Sequence, residues 1–125
     1  MERSDGFVTK HAEDLRVESV DATNGLERTV LIDADDGAEN VALRLFTLVS
    51  GGSVPRHTNE IEHVQYALQG DYVVGVGDEE HRVEAGDAML IPAGAVHWYR
   101  NPTDHAVRFL CAVPHGDDEI RLVDE

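Results

Sequence analysis

Short runs of β-favouring residues, each closed by turn chemistry, fill most of this chain and leave little room for helices. Leu26–Ile32, Val41–Val49, His63–Leu68, Asp71–Val76, His81–Val83, Ala88–Ile91, Val96–Tyr99 and Val107–Val113 are the runs, dominated by residues that fit a pleated, half-buried surface. Between them stand Asp35-Asp36-Gly37, Gly51-Gly52-Ser53, Gly70-Asp71, Gly77-Asp78-Glu79-Glu80, Ala85-Gly86-Asp87 and Asn101-Pro102-Thr103-Asp104, the residue types that tight turns select. Many short strands at this spacing predict an all-β sandwich or barrel. A chain of 125 residues supports one such core and not two. The weakly patterned residues 1–20 are expected to pack over a barrel built from 21–125, with Ile120, Leu122 and Val123 offering an edge strand.

Charge narrows the partners. Twenty-five acidic residues face ten basic ones, a formal net charge of −15. That balance argues against nucleic-acid backbones and anionic membranes as partners. The acids are spread along the whole chain, so a halophilic protein, whose self-repulsion is screened by concentrated salt, is expected rather than a local acidic docking surface. The single cysteine, Cys111, excludes an internal disulfide framework and fits a reducing compartment. It lies in Phe109-Leu110-Cys111-Ala112-Val113 and reads as a small buried hydrophobe. With neither a basic-then-apolar leader nor a membrane-length apolar run, a soluble cytoplasmic protein is expected.

Histidines carry the chemistry. Residues an even number apart in an extended chain share a face, so His57, Asn59, His63 and Gln65 are able to point together into a barrel, with Glu60 and Glu62 turned away. A turn between Asn59 and His63 would reset that parity. His97 opens a later strand beside Trp98 and Tyr99, after Pro92-Ala93-Gly94. One histidine in a strand is ordinary; three converging on one lumen are a metal-site candidate, because neutral imidazole is the commonest protein ligand for first-row transition metals. Tyr99 shares the parity of His97 and faces the same way, whereas Trp98 packs outward. Arg44 sits among apolar residues and calls for a carboxylate partner in the core or an anionic ligand. Gly75-Val76-Gly77 opens no helix and is no dinucleotide fingerprint. The sequence holds no HExxH and no GxSxG.

Together these segments resemble the cupin superfamily. Its first motif, G-x5-H-x-H-x3,4-E-x6-G, is matched in spacing by Gly51, His57, Asn59, His63 and Gly70 (residues 51–70). Its second, G-x5-P-x-G-x2-H-x3-N, is matched at every defined position by Gly86, Pro92, Gly94, His97 and Asn101 (residues 86–101). Two positions depart: Asn59 stands where the family has a histidine, and His63 where it has a glutamate. Four-histidine cupins place histidine at the second of these, often after a glutamate, as in Glu62-His63. The resemblance implies a small single-domain cupin, an antiparallel jelly-roll β-barrel, holding a divalent transition metal (Mn, Fe, Ni, Zn or Cu) on His57, His63 and His97. Asn59 would then be a weak fourth ligand or a hydrogen-bond donor beside the site. Gln65, Tyr99 and Arg44 are the candidates for touching a small-molecule substrate. The resemblance also implies a homodimer.

Three function classes follow. One is a metal-dependent enzyme on a small organic molecule, of dioxygenase, decarboxylase or isomerase type. The second is a module that binds or senses a small molecule without turnover. The third is a pocket that has lost its metal. Fold alone does not choose among them.

Overall fold

The computed structural model describes residues 5–123, so Met1–Ser4 of the expected N-terminal segment lie outside it. The strands are β1 (Glu18–Ser19), β2 (Asn24–Ile32), β3 (Val41–Thr58), β4 (His63–Gln69), β5 (Tyr72–Val76), β6 (Glu79–Val83), β7 (Ala88–Ile91), β8 (His97–Arg100), β9 (Val107–Pro114) and β10 (Arg121–Leu122). All pair antiparallel in one sheet, with the path β6-β5-β8-β3-β9-β4-β7 and with β2 and β10 also paired to β3. Two single-turn 3-10 helices, Ala12–Asp14 and Ala34–Asp36, are the helical content of the described residues. The all-β, antiparallel expectation holds, as a curled sheet of half-barrel form.

One turn reading is corrected. Gly51-Gly52-Ser53 does not separate two strands; it lies inside the 18-residue β3. Gly51 takes φ +72, a left-handed conformation that glycine adopts without a Cβ penalty, and bends the strand there. The first half of β3, up to Leu48, pairs with β9 and β2, while Ser53–Thr58 pairs with β8 and β10. The Gly51 N–H donates to the Asn101 carbonyl and the Asn101 N–H to that of Gly52. This bend delivers His57 to the same strand that carries Arg44. The β5–β6 turn is likewise shorter than Gly77–Glu80, because Glu79 and Glu80 already pair with Val76 and Gly75.

Strict alternation positions the site. On β9, Val107, Phe109, Cys111 and Val113 are buried, and on β4 the inward row is His63, Gln65 and Ala67. Inward aromatic rings stack through Phe109: Phe46, Tyr99 and Tyr72 lie 5.3, 5.5 and 5.6 Å from it, centroid to centroid. The inside is therefore an apolar, aromatic floor with polar side chains gathered at one end. Burial of such rings is the main source of stability in a fold of this size. No helix among the described residues is long and apolar enough to cross a membrane.

Candidate functional site

The residues singled out from sequence meet at the polar end of the lumen. His57, Asn59, His63, Gln65, His97 and Arg44 are all buried, at 2–8% exposure. They line one cavity with Tyr99, Phe46, Phe109, Leu26 and Val54. His57 and His97 are directly paired across β3 and β8, and their rings lie 4.1 Å apart. Despite the turn before His63, Asn59 and His63 both end up inside, while Glu60 and Glu62 are exposed. Trp98 faces outward as expected, under the Arg56 guanidinium at 4.4 Å.

The three histidines are held differently. His57 Nδ1 lies 2.7 Å from the Pro55 carbonyl and His97 Nδ1 lies 3.0 Å from that of Ala95. A carbonyl only accepts, so each ring carries its proton on Nδ1 and its lone pair on Nε2. Burial lowers the pKa of both; that of His97 falls to about 4, with the charge of His57 as the next cause. Both rings are neutral near pH 7. This is the way a metal-binding imidazole is oriented, one nitrogen anchored and the other free.

His63 is engaged on both sides. Its Nε2 donates to Asp118 Oδ1 at 2.8 Å, and its Nδ1 contacts Cys111 Sγ at 3.4 Å. Burial pulls its pKa down, but the hydrogen bonds and charges of Asp118 and Cys111 outweigh that and raise it to about 9. The ring is an imidazolium at neutral pH. Asp118 also meets Arg44, Nη2 to Oδ2 at 2.6 Å. Burial alone would raise the Asp118 carboxyl; the His63 hydrogen bond and the Arg44 charge hold it below the ordinary carboxylate range. With His63 turned to Asp118, no three His, Cys, Asp or Glu side chains among the described residues are set as a ready cage for a metal ion.

Two buried oxygens test whether a metal suits this place. Asn59 Oδ1 and Gln65 Oε1 have no hydrogen-bond partner, although buried acceptors are nearly always satisfied. The Asn59 amide donates to the Glu119 carbonyl at 3.3 Å, and the Gln65 amide to the Tyr99 hydroxyl at 2.8 Å. Two free imidazole nitrogens and two orphan amide oxygens around one cavity form a donor set that fits a divalent transition cation. The hydroxyl of Tyr99 is kept protonated, because burial pushes its pKa up.

Asp118 is the site residue that the sequence did not disclose. It lies in the polar stretch after β9, where three consecutive acids, Asp117, Asp118 and Glu119, give no hint of burial; the nearest signal was the apolar setting of Arg44, which called for a carboxylate. Asn101, the last residue of the second motif, is structural. Its side-chain amide donates to the carbonyls of Leu48, Val49 and His105, and its oxygen accepts from Thr103 N–H and Oγ1.

A family model described as the cupin domain matches residues 44–113. Among solved structures, the polyketide cyclase RemF from Streptomyces resistomycificus is 29% identical, with a TM-score of 0.88 over 95% of this chain and 87% of that one. A cupin-2 domain protein from Rhodospirillum rubrum has 24% identity and a TM-score of 0.80, over 94% and 81% of the two chains. A protein described as a predicted oxalate decarboxylase, from Thermotoga maritima, has 19% identity and a TM-score of 0.74, over 86% and 98%. No curated protein matches the chain.

Proposed function

We propose that this chain, which belongs to the cupin domain family, is a metal-dependent enzyme acting on a small oxygenated organic molecule at His57, His63 and His97. The observation that carries this reading is the pair of neutral imidazoles, His57 and His97, with Nδ1 anchored to backbone and Nε2 left for a ligand. Those two nitrogens, with His63 once Asp118 releases it, would hold the divalent metal, and Asn59 Oδ1 would add an oxygen donor. A metal bound here supplies Lewis-acid polarisation of a substrate oxygen.

The remaining groups are the chain's own. Tyr99 accepts from Gln65, so its O–H is directed elsewhere and donates to a substrate oxygen. Gln65 Oε1 accepts from a substrate hydroxyl. Phe46, Phe109, Leu26 and Val54 keep water from the reacting end. Decarboxylation, isomerisation and ring closure all need a polarised oxygen beside the reacting carbon, and they fit this equipment better than oxygen insertion does. The likeness to a polyketide cyclase supports including ring closure.

A second reading has its own support: the Asp118–His63–Arg44 contacts close the pocket as in a binding or sensing module. Turnover decides between them. Protein reconstituted separately with Mn, Fe, Ni, Zn or Cu is offered small keto acids, phenols and sugars, with products followed by mass spectrometry and oxygen uptake. The enzyme reading expects metal-dependent product formation that Tyr99→Phe lowers by about 10- to 100-fold. Saturable binding without product under any metal would replace it with the sensing module.

A further inference from the structure

Asp118 looks out of place on charge grounds. Acids outnumber bases 25 to 10 in the chain, yet the cavity is lined by two arginines, Arg28 and Arg44, against one acid, Asp118. Arg44 is permanently cationic and its side chain is only 10% exposed. Its Nε is buried without a partner. Asp118 places one oxygen on Arg44 Nη2 and the other on His63 Nε2. A bound carboxylate is held in this way, by charge-assisted contacts to both of its oxygens.

Asp118 does not belong to the barrel wall. It sits between β9 and β10, on a strap tied down by a few contacts. These include His115 N–H to the Asn40 carbonyl, Asn59 Nδ2 to the Glu119 carbonyl, Arg121 to Glu60 at 2.7 Å, the two-residue pairing of β10 with His57 and Thr58, and Val123 N–H to the Arg56 carbonyl at 3.0 Å. Ile120 of the same strap lines the cavity beside it. The space in which a water can move is about 50 Å³, enough for a few waters. A ligand carboxylate that takes both Arg44 and His63 therefore has to displace Asp118, and with it the strap that carries it.

We propose that in the metal-free protein Arg44 and His63 form the recognition point for a small carboxylate with an apolar, aryl-like body, and that Asp118 is the chain's own occupant of that point, which the ligand's carboxylate replaces. The apolar body is called for by Phe46, Phe109, Leu26 and Val54 below. The inference rests on the proposed function only in taking this cavity as the ligand's place, and it needs no metal.

The test uses full-length, chelator-treated protein, with benzoate and its neutral isostere benzamide as probes, followed by calorimetry at fixed salt. Benzoate is expected to bind better than benzamide, about tenfold tighter to Asp118→Asn than to the natural protein, and about tenfold more weakly to Arg44→Gln. In the natural protein, saturating benzoate is expected to speed amide hydrogen exchange at Val123, because the strap lifts. Equal binding of benzamide, unchanged benzoate affinity in Asp118→Asn, or unchanged exchange at Val123 would each overturn the proposal. The exchange measurement needs no variant, so it decides the matter even where a substitution fails to fold. Benzoate binding by a protein that takes up no metal would instead sustain this inference and sink the metal-dependent enzyme.

Discussion

At the residue scale the site is an arrangement of protons. In metal-free protein His63 has its folded pKa raised from 6.5 to about 9, so its contribution to stability is complete below pH 6.5 and is lost as pH rises through about 9. His97 has its folded pKa depressed to about 4; the unfolded chain binds the extra proton, so stability falls as pH drops from 6.5 toward 4. Thermal melts of chelator-treated protein are therefore expected to peak near pH 6.5 and to lie several degrees lower at pH 9. His63→Gln is less stable overall but flat across that alkaline window; an unchanged alkaline slope in this variant would contradict the assignment. Asn101 makes a different kind of prediction. Asn101→Ala strands the buried carbonyl of Leu48 and frees those of Val49 and His105, at a cost of about 2 kcal/mol, read as a lower denaturation midpoint. The inward row His57, His63, Gln65, His97, Tyr99 was legible because strand parity fixes a face. Asp118 was not, because its partners Arg44 and His63 lie 74 and 55 positions earlier in the chain and no local pattern encodes that meeting.

At the element scale, β3 is the organising strand. Its bend at Gly51 lets one strand present Arg44 to the strap and His57 to the proposed metal position. The sequence marked the place with two glycines but left open whether the chain turns back or only bends; pairing partners on both sides decide that, and they are long-range. Gly75 on β5 is read more directly from space. A Cβ there would lie 1.8 Å from Trp98 Cε2, so the indole crosses the strand over bare backbone. Gly75→Ala is expected to displace Trp98 from Arg56 and Glu80, with a change in tryptophan fluorescence and about 2 kcal/mol of destabilisation; an unchanged emission spectrum would contradict that packing. The outer face of β4 and β7 is apolar and open, with Val64, Tyr66, Leu68 and Leu90 each 42–61% exposed and Val64 paired with Leu90. We propose that a second copy covers this continuous face. Light scattering in high salt is expected to give twice 13.7 kDa, and Leu90→Lys to return a monomer; a monomer throughout would remove the proposal.

At the scale of the whole molecule, two facts pull against each other. The net charge of −15 repels itself at low ionic strength, while the cavity concentrates arginine. If the acids suit concentrated salt, the melting temperature rises by several degrees from about 0.1 M to molar NaCl, where the screening length shrinks about threefold; a flat dependence would argue against a halophilic design. All-β architecture and the two motifs were readable because turn residues and strand period are local. The closure of the pocket by the strap was not. The proposed activity depends on metal at His57, His63 and His97. Elemental analysis of untagged protein purified in high salt, beside His97→Ala, tests that most directly. About one divalent transition metal per chain is expected in the natural protein, and its loss in the variant. Less than about a tenth of an equivalent, unchanged by reconstitution, would contradict it.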